Sequence, residues 1–122
     1  MKKIKLIEVK SEIGAGTRGA GMGVDAIKTA ALDFGSSFFK RHESVEVPNE
    51  NKLLLEPVEN DFAKRIKGIY SLSERLAKQV SEFCKEEGTF PIVLAGDHTS
   101  AIGVASGIKL AFPEKNGTYK SE

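Results

Sequence analysis

Phe90-Pro91-Ile92-Val93-Leu94-Ala95-Gly96-Asp97-His98-Thr99-Ser100-Ala101-Ile102-Gly103 is the stretch on which the fold turns. Residues 90–95 form an unbroken apolar run without polar alternation, the pattern of a parallel strand covered on both faces. Pro91 is compatible with such a strand only near its start, because it brings no backbone N–H to a ladder. Gly96 to Thr99 break the run. Ala101, Ile102, Ala105, Ile108, Ala111 and Phe112 then recur at helical spacing until Pro113 ends the period. Gly103, Ala105, Ser106 and Gly107 would be costly in an isolated helix, so this backbone is expected to lie tight against a sheet or another helix.

Toward the amino terminus the same alternation of strand and helix continues. Lys3 to Val9 mixes charges with Ile4, Leu6, Ile7 and Val9 and predicts a first strand. Glu12 to Gly23 holds five glycines and predicts a loop, after which Val24, Ile27, Ala30, Ala31 and Phe34 mark a helix ended by Gly35. Ser44 to Val47 predicts a short second strand before a Pro48-Asn49 turn, and Leu53 to Glu59 an extended segment, since Glu56 precedes Pro57. Phe62, Ile66, Ile69, Tyr70, Leu76, Ala77, Val80, Phe83 and Cys84 trace an apolar stripe opened by Asn60 or Asp61 and closed by Gly88. That stripe predicts one long helix of roughly seven turns at 3.6 residues per turn. The order of elements argues for right-handed crossovers: an α/β fold with a parallel sheet and helices on both faces, in a single domain over residues 1–115 with a polar tail at 116–122. Ligands of such sheets collect at the carboxyl ends of the strands.

Composition narrows the class. At 122 residues, with 40% apolar and 29% charged residues, the chain is neither disordered nor membrane-embedded in character. Eighteen basic against seventeen acidic residues leave a net charge of +1, without the basic field of a nucleic-acid binder. No apolar run approaches the roughly 18 residues of a spanning helix, and Met1-Lys2-Lys3 leads into no signal-like stretch, so a cytoplasmic protein is expected. Cys84 stands alone, inside the stripe of the long helix, and is expected to be an inert core thiol.

Two loops lie where chemistry would be placed. Gly14-Ala15-Gly16-Thr17-Arg18-Gly19 matches the G-x-G-x-x-G string, yet Ala20-Gly21-Met22-Gly23 separate it from the next helix and no ribose-binding acid follows at the usual distance. A glycine loop shaped by local turns is favoured over nucleotide binding. Arg18 within it could meet a carboxylate or a phosphate, though a solvated arginine is the plainer reading. In Gly96-Asp97-His98-Thr99 the imidazole of His98 can donate a lone pair to a metal and the carboxylate of Asp97 can orient the loop. Read alone, Asp97 is a helix cap and His98 a hydrogen-bonded histidine. His42 sits among charges and is expected to be solvated. Thr99 and Ser100 lack the elbow of a nucleophilic serine.

The string Ser11-Glu12-Ile13-Gly14-Ala15-Gly16-Thr17-Arg18-Gly19, the helix at Val24-Asp25-Ala26-Ile27 and Ile92-Val93-Leu94-Ala95-Gly96-Asp97-His98-Thr99-Ser100-Ala101-Ile102-Gly103 together resemble the ureohydrolase family of arginases, agmatinases and formiminoglutamases, the arginase branch most closely. Ala95 stands where the family has the first glycine of Gly-Gly-Asp-His. The resemblance runs from Lys3 to Pro113 and implies an arginase-like three-layer sheet cut to about three strands and three helices, the amino-terminal third of such an enzyme. It further implies hydrolysis of a guanidino C–N bond by a pair of manganese ions that activate a shared hydroxide. His98 would be one ligand of that pair, Asp97 would support the metal loop and Arg18 would belong to a substrate or interface loop. The family's Asp-Ala-His-x-Asp string and later Asp-x-Asp pair do not occur, and one imidazole cannot hold two divalent ions, so the chain is expected to be an inactive portion of a larger hydrolase. The alternative is a noncatalytic module that associates with itself or another protein through residues 90–95 as an exposed apolar sheet edge. The expected partners are a small guanidino substrate for the complete enzyme and a second copy of the chain, with no nucleic acid and no membrane.

Overall fold

The computed structural model describes residues 2–114; the tail assigned to 116–122 lies outside the described residues. Strand β1 (Lys3–Val9) is followed by a glycine-rich loop, a single 3-10 turn at Ala20–Met22, helix α1 (Gly23–Asp33) and a short helix α2 (Phe38–Arg41). Strand β2 (Glu43–Glu46), a second 3-10 turn at Asn51–Leu55, helix α3 (Ile66–Lys85), strand β3 (Thr89–Ala95) and helix α4 (Ser100–Ala111) complete the order. The three strands form one parallel sheet in the order β2-β1-β3, with Lys5 opposite Glu43 on one side and Pro91 on the other. This is the α/β architecture that the strand and helix order predicts.

β1 is central because its residues are apolar enough for both faces. Ile7 and Val9 point to the side of α3, where they meet Leu72, Leu76, Val80 and Phe83, with Val45, Val47 and Val93 beside them. Those α3 residues step by four, four and three, so they form one stripe along the helix, and each fully buried side chain contributes roughly 1.5–3 kcal/mol relative to exposure. On the opposite face Leu6 is fully buried, and next to it the Glu8 carboxylate, only 4% exposed, accepts hydrogen bonds from Lys28 Nζ of α1 and Ser44 Oγ of β2. Burial pushes the Glu8 carboxyl up, but the bonds from Lys28 and Ser44 and the charges of Lys28 and Lys10 outweigh it and hold the group below the usual carboxylate value. The pair ties α1 and β2 to the middle of the sheet.

The small residues of α4 face α3. A Cβ at Gly107 would stand 2.6 Å from the Val80 Cβ and 2.7 Å from the Ala77 carbonyl oxygen, and one at Gly103 would stand 2.9 Å from the Leu76 side chain. The close approach expected of this helix is therefore made to another helix.

Several sequence expectations are corrected. The long helix begins at Ile66, not near Asn60, because the Asn60 side chain accepts the Phe62 N–H in a turn and Arg65 takes a left-handed conformation with φ 58°. Phe62 is consequently fully exposed, Tyr70 is 65% exposed, and Leu72 takes the buried place that the stripe omits. Residues 51–55 coil into a 3-10 turn instead of extending from Leu53, and α2 has no counterpart in the periodicity. β3 is covered less completely than its apolar run predicts: Phe90 is 52% exposed and Ile92, Val93 and Leu94 are only half-buried.

β3 is the edge of the sheet among the described residues. Lys3 N–H donates to Gly88 O and Gly96 N–H to Val9 O, so the even-numbered residues between them hydrogen-bond toward β1. The backbone groups of Pro91, Val93 and Ala95 thus face outward. The missing donor of Pro91 falls on the free side, the position that a strand proline tolerates.

Candidate functional site at the carboxyl ends of the strands

The loops after β1 and β3 come together because β1 and β3 are parallel neighbours ending side by side, with Val9 opposite Ala95. Their backbones touch directly. Asp97 N–H donates to the Ser11 carbonyl at 3.1 Å, and a Cβ at Gly96 would lie 2.4 Å from that same oxygen, so only glycine fits where the second chain crosses the first. Gly14 answers from the other side: a Cβ there would run into Thr99 Cγ2 at 2.1 Å.

Asp97 closes this junction. Its Oδ2 accepts the Gly14 N–H at 2.8 Å, and its Oδ1 accepts the Thr99 N–H at 3.1 Å and the Thr99 hydroxyl. The Ala15 N–H is a further, longer contact at 3.4 Å. One carboxylate therefore satisfies the glycine loop and the start of α4 together, a local side-chain-to-backbone tie of the kind aspartate favours over continued helix. His98, next in sequence, is held by its backbone, whose carbonyl accepts the Ala101 N–H, while the residue itself is exposed. Asp97 is thus spent on loop construction and His98 is left presented at the rim.

Glu12 is the group that sequence reasoning missed. It is 2% exposed, and its carboxylate accepts the N–H groups of Gly19 and Gly21 and the Arg18 Nε. Those bonds, from Gly21 and Gly19 first, hold its carboxyl below the usual value against the opposing effect of burial, with Arg18 adding to them. Its own N–H donates to Asn51 Oδ1 at 2.8 Å, and Asn51 Nδ2 donates to the Lys10 carbonyl, which anchors the base of the loop. The signal was available in principle: a carboxylate immediately before a run of glycines faces a supply of unpaired N–H donors. Arg18 meets a carboxylate, as one reading of it allowed, but inside its own loop, with the side chain 66% exposed.

The other candidates stand apart from this junction. His42 packs against Phe38, ring centroids 4.6 Å apart, and is half-buried where a solvated residue was expected. Cys84 is half-buried beside the core, and burial pushes its thiol up, as befits an unreactive group. Among the described residues no three His, Cys, Asp or Glu side chains gather into a set that could hold a metal ion. None of the described helices is long and apolar enough to cross a membrane.

The arginase family profile matches residues 2–118. The chain is 33% identical over 112 residues to the arginase of Bacillus subtilis, covering 87% of this chain and 35% of that protein. It is 30% identical over 112 residues to the arginase of Bacillus caldovelox, covering 88% and 36%. A crystal structure of the Bacillus subtilis arginase superposes with a TM-score of 0.63 at 29% identity, covering 87% of this chain and 33% of that one. The chain spans about a third of the length of the relatives it matches. With the parallel sheet, the Asp97 junction and a family match over nearly its whole length, the chain belongs to the arginase family.

Proposed function

We propose that this chain is the amino-terminal portion of an arginase-type hydrolase of guanidino C–N bonds, in which it builds the first metal-bearing loop and leaves the rest of the catalytic site to sequence it does not contain. The observation that carries this reading is the junction at the ends of β1 and β3, where Asp97 fixes both loops and His98 is left exposed and available. The manganese pair of the family does not fit the residues present. Asp97 has its oxygens engaged by backbone and hydroxyl donors, and among the described residues no set of three His, Cys, Asp or Glu side chains gathers to hold a cation with His98. Hydrolysis by this chain alone is accordingly not expected.

Manganese titration by calorimetry, combined with a urea-release assay on the 122-residue chain, tests the reading. No turnover and no stoichiometric manganese binding are expected. Turnover of arginine by the purified chain would overturn it.

One observation favours the alternative of a self-associating module: the outward backbone groups of Val93 and Ala95 and the half-exposed Phe90 leave β3 a usable edge. Under that reading the chain sediments as a dimer or larger species in a concentration-dependent way, whereas a monomer at high concentration would remove the reading.

A further inference from the structure

The two edges of the sheet are built differently. β2 carries Glu43 and Glu46, and charges on an edge strand discourage another copy from pairing with it. β3 has no charged residue from Phe90 to Ala95, and it turns the backbone groups of Pro91, Val93 and Ala95 outward. Two like copies therefore meet no charge repulsion along it.

α4 continues this open side. Arg75 of α3 donates to the Pro48 carbonyl just beyond β2, whereas Gly103 and Gly107 of α4 press on Leu76 and Val80 at the other flank of α3, so α4 lies toward β3. At about 100° per residue, a helix that turns Gly103 and Gly107 to α3 turns Ala101, Ala105, Ile108 and Phe112 away from it. All four are exposed, and none is charged. They are also graded in size along the helix, with the two alanines in its amino-terminal half and Ile108 and Phe112 toward its end.

This surface complements itself when turned about a two-fold axis. With Val93 opposite Val93, two antiparallel β3 strands exchange N–H and carbonyl at that residue, and the Ala95 N–H of each copy meets the Pro91 carbonyl of the other. The donor that Pro91 lacks then leaves only the carbonyl of exposed Ala95 without a strand partner, at an end open to water. Ile92 comes opposite Leu94 of the other copy, pairing two half-buried apolar side chains. The same rotation runs the two α4 helices antiparallel and sets Ala101 and Ala105 of one against Ile108 and Phe112 of the other. We infer that β3 and the outer flank of α4 form a two-fold interface with a second copy of this chain, the sheet continuing antiparallel through Val93. This rests on the self-association reading above and gives it a surface and a symmetry, closed after two copies. About ten residues per copy fall short of the roughly 20–30 of a standard interface, so the dimer is weak and reversible.

Amide hydrogen exchange of the isotopically labelled chain at low and high concentration, beside sedimentation velocity, tests the interface without any variant. The Val93 and Ala95 amides are expected to exchange more slowly as concentration rises. The Ser44 and Glu46 amides, which face outward on β2 because Val47 N–H donates to Glu8 O, are expected to keep their rates. Ala105→Glu buries a carboxylate against Ile108 of the other copy and is expected to raise the concentration needed for association about tenfold or more. Ile102→Glu, in the groove between α3 and α4 and off the graded flank, leaves that concentration unchanged. Thermal melts establish that both variants are folded. A monomer at every concentration overturns the inference together with the self-association reading. Association that leaves the Val93 and Ala95 amides unprotected, or that folded Ala105→Glu weakens no more than Ile102→Glu does, overturns the inference alone.

Discussion

Asp97 and Glu12 show what a single carboxylate can do for a loop that has no regular structure of its own. Each accepts from backbone N–H groups of a glycine-rich segment, Asp97 from Gly14 and Thr99, Glu12 from Gly19 and Gly21. Replacing Asp97 by Asn turns part of an acceptor into a donor facing donors, and a loss of roughly 1–3 kcal/mol is expected, read as a lower urea midpoint at unchanged slope. The backbone of the loop that carries His98 should then loosen, visible as line broadening of its amide protons. Glu12 makes a pH prediction. Its folded value lies below the ordinary 4.5, so the stability it contributes is complete above that value and drains away as the pH falls through the lower, folded value. Thermal melts from pH 6 downward should show a steep acid limb that Glu12→Gln makes shallower, at the cost of lower stability near neutrality. The two residues also mark how far sequence reading reached. Asp97 was visible because it adjoins a strand end and a histidine, whereas Glu12, bonded to the backbone N–H groups of Gly19 and Gly21 and to Arg18 further along the loop, was signalled only by the glycines that follow it.

At the scale of elements, glycine has opposite meanings in different helices. Gly107 of α4 is pressed on Val80 and the Ala77 carbonyl, so Gly107→Ala should destabilise by about 1–3 kcal/mol despite alanine's better helix propensity. Gly23 opens α1 with nothing within 4 Å of where a Cβ would stand, and Gly23→Ala should stabilise by roughly 0.4–1 kcal/mol. Chemical denaturation of the two variants side by side checks the pair, and equal effects would refute the packing argument. The tight seat of α4 was legible from Gly103, Ser106 and Gly107 in one helix, and the strands from their β-branched runs. The start of α3 was not. Apolar spacing continues through Phe62, but periodicity does not register that Asn60 has turned the chain or that Arg65 has left the right-handed region.

The whole molecule is a sheet whose central strand is well covered and whose third strand is not. The parallel topology and the meeting of the two loops followed from element order, and the arginase motif named the family. What the sequence could not convey is the uneven cover of β3, because burial of an apolar run depends on what packs against it. Phe90 is half-exposed on that strand, so Phe90→Lys should cost little stability while lowering any concentration-dependent association, as measured by sedimentation velocity. The position of Pro91 has a directional consequence. On the outward side of β3 the amino-terminal half offers a carbonyl without its matching donor, while Val93 and Ala95 offer both. A strand laid along this edge can be stitched in full only where it reaches the end that carries His98. Growth of the sheet is therefore polarised: the incoming backbone is gripped hardest beside the exposed imidazole, and extending the sheet delivers new side chains to the one place where that imidazole needs company.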